Sequence, residues 1–424
     1  MHTITVREYA RITAVPMAGT NGLDQATVSE AAFDWLCKES ERLRKTGAGL
    51  IQLEGRRWLR LDNYVGVIEA PDGTRIEILP KTFDDGDDGC KARRLLQKML
   101  QRCLHLEPRV SALTGLQVFD GPLTEWVIHQ FLTALDTLIK RGLRFEYHAI
   151  EEERQFLRGR LLVARQLRQP PGGAHHFQVE HETFDADRPE NRLIRSALDK
   201  VCKQARAASN KRLAYELAHQ VLEISPSLDF TKDFQQWQND RLSAHYQPIR
   251  QWCSLILNEQ NPLTILGDWA GHSLLFPMEK VFESYVEVCL RRGLRPGQTL
   301  KAQAASRCLA THNDQSWFQL RPDFLLSEGG VTTVLDTKWK RVDASKDNSE
   351  DKYGLSQADF YQLYAYGQKY LGGRGQLVLL YPRTEMFREP LLPFFFNNHL
   401  RLDVLPFDLD AGLVVNTFRG QANS

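Results

Sequence analysis

The fold turns on residues 320–340, LRPDFLLSEGGVTTVLDTKWK. Two short apolar runs, FLL and VTTVLD, flank the turn residues Ser327-Glu328-Gly329-Gly330, the pattern of two paired strands. Asp323 opens the first strand. Asp336 and Lys338 are two residues apart near the end of the second, and because side chains alternate along a strand they share one face. A hairpin of this length returns Asp323 to the side of Asp336, so two carboxylates and an ammonium converge at one end of a sheet. That set suits metal-assisted phosphodiester hydrolysis. Carboxylates are the hard oxygen ligands that Mg²⁺ prefers, a bound metal stabilises transition-state charge and activates water, and a lysine orients that water or offsets phosphate charge. The bland alternative is an exposed hairpin carrying a surface ion pair. A Pro-Asp placed thirteen residues before an Asp-x-Lys, across a Gly-Gly turn, weighs against it.

Working outward, LSQADFYQLYAYGQKYL (355–371) reads as a helix. Asp359, Gln362 and Tyr366 recur at steps of three and four and share a face, so Gln362 and Tyr366 are candidates to contact a scissile strand or to position water. Phe360, Leu363 and Tyr364 would then form its core side. Upstream, Glu283 in KVFESYVEV lies on an amphipathic helix entering the same region and is a candidate to reach a metal through water. Expected strands at 299–310, 316–327, 331–340, 375–381 and 402–407, with the one helix among them, make the C-terminal third α/β.

The chain has 424 residues, enough for two or three domains. The expected organisation is α+β and multidomain. Residues 1–89 read as a β-rich domain, with a hairpin at 62–70 and 74–80 across Pro71-Asp72-Gly73 and a charged loop, DDGDDG, closing it at 84–89. Residues 90–265 read as a mainly helical middle region, from the apolar periodicity of KARRLLQKMLQRCL and LTEWVIHQFLTALDTLIKRGL. Segment 144–184, with LRGRLL and PPGGAHH, interrupts it, and Asp187 is the expected cap of the helix that follows. Residues 266–424 form the α/β domain.

Basic and acidic residues balance at 54 against 53, so any phosphate-binding surface is a local patch. The seven cysteines never form a CxxC pair, which argues against a disulfide framework or zinc site and fits a reducing cytoplasm. No apolar stretch approaches membrane-span length, so no membrane association is expected. His175-His176 lacks ligand partners at metal spacing, and no GxSxG, HExxH or GxGxxG motif occurs.

The elements Pro322-Asp323, Asp336-Thr337-Lys338 and Gln362-x-x-x-Tyr366 resemble those of the PD-(D/E)xK restriction-endonuclease superfamily in its QxxxY variant. More closely, the chain resembles the McrC family, the nuclease subunit of modification-dependent McrBC restriction systems. The stretches that carry this are IEILPK (76–81), LRGRLLVARQLR (157–168), DADRPENRLIRSAL (185–198), VFESYV (281–286), LRPDFLL (320–326), LDTKWK (335–340) and ADFYQLYAYG (358–367), in that order. The resemblance implies a C-terminal PD-(D/E)xK restriction-endonuclease-like domain that uses Mg²⁺. Asp323, Asp336, Lys338, Gln362 and Tyr366 would be its catalytic residues, and Asp323, Asp336 and Glu283 its metal residues. It also implies a DNA endonuclease that docks on an McrB-like AAA+ GTPase ring, stimulates GTP hydrolysis and is directed to its cleavage sites by that partner. The N-terminal β-rich domain would sit in the ring's pore, and two nuclease domains would pair if both strands are to be cut.

The sequence contains no GxxxxGK[ST] phosphate loop and no Gly-Lys pair, which agrees with a subunit that is not its own motor. Arg75 and Lys81 are candidates to touch the ring. The basic residues Arg154, Arg158, Arg160, Arg165 and Arg168 adjoin Glu151, Glu152 and Glu153 and are expected to pair locally. The polar loop 341–356 after the second strand reads by default as disordered surface, with order gained only on DNA as the functional alternative. Two alternatives stand beside this reading: a non-catalytic GTPase activator with a vestigial nuclease fold, and a stand-alone repair or defence nuclease.

Overall fold

The computed structural model describes residues 3–16, 22–45, 50–55, 57–81, 89–103, 122–170, 172, 175–237, 244–257 and 274–415. Most of the DDGDDG loop and the expected boundary at 265 lie outside them. Helices and several sheets coexist, an α+β architecture. The chain divides into two compact units, one made of residues 1–123 and 262–424 and the other of 124–261.

The first unit joins what sequence patterning separates. Strands Thr3–Arg7, Arg75–Leu79, Tyr64–Glu69 and Leu274–Pro277 form one sheet in that order. The first pair is parallel and the others are antiparallel. The expected 62–70/74–80 hairpin is present, with Glu69 opposite Arg75. Leu274–Pro277 arrives from far along the chain to complete this sheet. Helix Met278–Arg292 begins at once, its Met278 N–H donating to Asn63 O at 2.8 Å. A pairing between residues so distant in sequence leaves no local periodicity to read, so 1–89 and 266–424 look like separate bodies in sequence and share a sheet in space.

The junction requires a glycine. Gly66 has φ +132°, and a Cβ there would sit 1.9 Å from Leu274 O, inside the new strand's backbone. A second sheet, in the order Gln25–Thr27, Arg11–Thr13, Trp58–Leu61, Ile51–Glu54, shares a core with the first through Ile12, Leu36, Leu59, Ile68, Ile76 and Leu275.

The C-terminal part is built on a seven-stranded sheet. Strands Gln298–Ala302, Phe324–Glu328 and Val331–Thr337 are antiparallel neighbours. Gly375–Pro382 and Leu400–Asp408 continue the sheet in parallel, and Phe394–Asn397 and Leu413–Val414 flank the last. Helix Gln357–Leu371 makes the crossover between the parallel strands Val331–Thr337 and Gly375–Pro382, the connection such a pair requires. Leu363 and Tyr366 on this helix pack into the core formed by Val334, Leu377, Leu379 and Leu402.

Two expected long strands are each broken. The stretch 299–310 divides at Gln303 (φ 49°) and 316–327 divides before Asp323, at a proline that has no N–H for a ladder. The freed halves, Arg307–His312 and Gln315–Leu320, pair as a separate hairpin.

The second unit has helices Leu123–Arg141, Pro189–Gln204, Ala208–Gln220, Phe230–Gln236 and Gln247–Leu257. Segment 144–184 interrupts the helices, as expected. It is a three-stranded antiparallel sheet in which Phe177–Asp185 pairs along its whole length with Glu146–Arg154 and locally with Arg160–Leu161. The cap of helix Pro189–Gln204 is Arg188 rather than Asp187. The Arg188 guanidinium is buried against Glu190, at 2.9 Å, and Glu146. As expected, Arg154 and Arg165 pair locally, with Glu152 (2.8 Å) and Glu151 (2.5 Å).

Replacing Gly66 with alanine forces the Leu274–Pro277 strand off the sheet. We expect a loss of about 2–4 kcal/mol, measured as a lower midpoint in urea unfolding.

Candidate active site

Each member of the sequence-derived set is placed by a local rule. Gly329 (φ 57°) and Gly330 (φ 84°) take the left-handed conformations that a two-residue hairpin turn demands, so Glu328 pairs with Val331 and Phe324 with Leu335. One step further along that register, Asp323 faces Asp336. Asp323 Oδ2 accepts from Thr337 N and from Thr337 Oγ1, both at 2.7 Å, which clamps the first carboxylate to the end of the neighbouring strand. Asp336 is 1% exposed. Its Oδ2 forms a close ion pair with Lys338 Nζ at 2.6 Å, and among the described residues no other donor reaches that oxygen.

The crossover helix completes the arrangement. Lys338 Nζ donates to Gln362 Oε1 (3.2 Å), Gln362 Nε2 donates to Tyr366 OH (2.7 Å), and Tyr366 OH donates to Arg321 O (2.9 Å). The Gln-x-x-x-Tyr spacing therefore makes a relay from the lysine back to the segment that carries Asp323. Tyr366 is itself buried, so it supports the site from within the core. Asp359 lies one turn earlier on the helix. Its carboxylate pairs with Lys340 Nζ at 3.0 and 3.2 Å, and Tyr381 OH approaches it at 3.4 Å. Lys340 and Tyr381 escaped the sequence reading. The Lys338-x-Lys340 alternation was the signal for the lysine, whereas nothing local marks the tyrosine.

Glu283 stands slightly apart. Its carboxylate pairs with Lys280 Nζ at 3.0 Å and accepts from Gln303 Nε2. Among the described residues no three His, Cys, Asp or Glu side chains form a ready-made metal cage. The inner pair is Asp323 and Asp336, and Glu283 lies near enough for Asp323 to act on its ionisation.

Burial governs the electrostatics. Desolvation, then the facing Asp336 carboxylate, pushes Asp323 up to about 6, against 3.8 for a free aspartate. Asp336 and Glu283 are also raised, each first by burial. Burial would lower the Lys338 ammonium, but Asp336, with Asp323 and Asp359 behind it, more than offsets this, and the lysine is held in its charged form. Like charges crowded into a largely buried setting, with Lys338 as the one cation on Asp336 Oδ2 among the described residues, would suit a divalent cation that takes its other ligands from water and phosphate. Loop 341–356 closes on itself through Asp343 N to Tyr353 O (3.0 Å) and Tyr353 N to Lys346 O (2.8 Å).

An α/β domain with two buried carboxylates and a lysine at its strand ends defines the class of protein. The particular family follows from comparison. Residues 59–382 match the family described as McrBC 5-methylcytosine restriction system component, and the chain belongs to that family. It is similar in fold to a refined half-complex from a tetradecameric assembly of Thermococcus gammatolerans McrB AAA+ hexamers with bound McrC. That match has a TM-score of 0.72 and 21% identity, covering 98% of this chain and 97% of the other. It is also similar to the cryo-EM structure of the T. gammatolerans McrBC complex, with a TM-score of 0.53 and 23% identity, over 69% and 88% of the two chains. No curated protein matches the chain. Among the described residues no helix is long and apolar enough to cross a membrane.

The raised Asp323 value has a definite sign. Because the folded carboxyl binds its proton more tightly than the unfolded one, the ionised group opposes folding. That penalty is absent below about pH 4 and grows until pH passes about 6. Asp323→Asn should therefore stabilise the metal-free protein at pH 8 by about 1–3 kcal/mol, a gain that vanishes toward pH 4. Thermal unfolding across pH in EDTA checks this.

Proposed function

We propose that the chain is the Mg²⁺-dependent endonuclease subunit of an McrBC-like restriction system, cutting DNA phosphodiester bonds while docked on an AAA+ GTPase ring whose GTP hydrolysis it stimulates. The observation that carries the reading is the convergence of Asp323, Asp336 and Lys338 at the strand ends of a seven-stranded sheet, braced by Gln362 and Tyr366. This supports reading the C-terminal part as a PD-(D/E)xK restriction-endonuclease-like domain.

Asp323 and Asp336 would hold the ion, with Glu283 reaching it through water. When bound, Mg²⁺ supplies charge stabilisation for phosphoryl transfer and an activated water. The protein's own groups do the rest. Lys338 has three N–H donors. One faces Asp336 and one Gln362, which leaves the third for a phosphate oxygen or the attacking water. Gln362 and Tyr366 keep the ammonium from swinging away as charge builds on the phosphate. The intact set favours this reading over a vestigial fold that retains only GTPase activation, since a lost carboxylate or lysine would leave the relay without purpose.

For docking on a ring, the described surfaces favour the three-stranded sheet at 146–185 over the N-terminal sheets. Tyr147 is 65% and Phe184 57% exposed, with ring centroids 4.8 Å apart, and Phe145 stacks on Phe184 at 5.3 Å. Exposed, contiguous aromatic area of this kind is what a protein interface buries. By contrast Arg75, a sequence-derived candidate to touch the ring, is buried and paired with Glu69 at 2.8 Å.

Asp336→Ala and Lys338→Ala should each reduce Mg²⁺-dependent DNA cleavage at least about a hundredfold while leaving ring binding and GTPase stimulation unchanged. Undiminished cutting would overturn the site. Tyr147→Asp with Phe184→Asp should weaken co-elution with the cognate AAA+ GTPase. Unaltered binding would move the docking surface elsewhere.

A further inference from the structure

Lys338 and Lys340 flank Trp339, whose side chain lies on the opposite side of the chain and is 5% exposed. The indole packs 5.4 Å from the ring of Phe282, the neighbour of Glu283. Its Nε1–H donates to Glu8 Oε1 at 2.8 Å, across 331 residues of sequence. The Lys81 N–H donates to the same oxygen at 2.7 Å. Glu8 is fully buried and its other oxygen, Oε2, has no hydrogen-bond partner among the described residues.

The backbone is arranged to put the carboxylate there. Glu8 ends the Thr3–Arg7 strand with its N–H on Leu79 O (2.9 Å), and the chain reverses at once, Ala10 N donating to Arg7 O (3.1 Å). The reversal holds Tyr9 at φ 65°, a left-handed conformation a bulky side chain seldom adopts. A buried carboxyl with one orphaned oxygen beside a strained residue is costly, and a purely apolar contact would serve packing better. What this arrangement adds is direction, because a hydrogen bond fixes the indole where packing alone would let it slide. The charged groups that act on Glu8 are the Lys81 ammonium and the Glu279 carboxylate, and burial pushes its carboxyl up to about 7.

We propose that Glu8 is a positioning residue for DNA cleavage: by gripping the Trp339 indole from the N-terminal sheet, it sets where Lys338 and Lys340 stand. The N-terminal strand is then a working part of the nuclease site. This rests on the nuclease reading above. Because both donors converge on one oxygen, an amide in place of the acid keeps the grip.

The test is cleavage of methylated DNA by the full-length chain with its partner ring, comparing Glu8→Gln, Glu8→Ala and Trp339→Phe. Glu8→Ala and Trp339→Phe should each lower kcat about tenfold with KM for DNA within about twofold. Glu8→Gln should restore kcat to within about twofold of wild type, and the Glu8→Ala/Trp339→Phe double variant should be no worse than either single one. A wild-type kcat in Glu8→Ala, additive losses in the double variant, or equal losses in Glu8→Gln and Glu8→Ala would overturn the inference. Should Glu8→Ala fail to fold, Trp339→Phe and Glu8→Gln decide: a kcat loss in the first alone supports the grip, and any other pattern overturns it. An inactive wild type would instead remove the nuclease reading, and this inference with it.

Discussion

Two carboxylates held face to face and largely buried are the constraint around which the C-terminal half is organised. Left alone, Asp323 and Asp336 would repel and draw in water. The hairpin between them prevents separation, because its glycine turn fixes the register and Thr337 clamps Asp323 by two hydrogen bonds. Lys338 supplies one compensating charge against two, so the cleft remains short of positive charge. Burial first, and then the facing Asp336 carboxylate, displaces Asp323 up to about 6, equivalent to about 3 kcal/mol against the ionised form. A site that opposes folding in this way is the expected signature of function traded against stability.

The supporting structure keeps the lysine from relaxing the strain in the wrong way. A longer reach toward solvent would let Lys338 swing out and leave Asp336 uncompensated. The Gln362–Tyr366–Arg321 relay closes that route from the helix side. From the opposite side Trp339, tied to Glu8, anchors the backbone between Lys338 and Lys340. The N-terminal sheet thus reaches the surroundings of the strand that carries Asp336, and Leu274–Pro277 physically stitches residues 64–69 to the helix that carries Glu283.

How legible this was depends on how local each determinant is. The hairpin, its register and the Asp323–Asp336–Lys338 set follow from alternation and a glycine turn within a single stretch, and the crossover helix at 357–371 follows from spacing alone. Most of the features missed are non-local. The sheet shared by residues 64–69 and 274–277 has no sequence signal at either end. The 146–185 sheet is rich in charge and exposed aromatics, and its glycines and prolines look like loop. Glu8 and Trp339 are unremarkable until the fold brings them together. Gln303 and Pro322 broke strands that apolar runs alone would have extended. Arg75, a candidate to touch the ring, is instead buried by cross-strand pairing with Glu69.

The claim on which the rest depends is that Asp323 and Asp336 together take a divalent cation. Anomalous scattering from crystals grown with Mn²⁺ as a stand-in for Mg²⁺ addresses it most directly. A single strong peak in contact with both the Asp323 and Asp336 carboxylates, absent in Asp336→Ala crystals, is the predicted result. A cleft without a peak at saturating Mn²⁺, or a peak that survives in Asp336→Ala, would contradict the account.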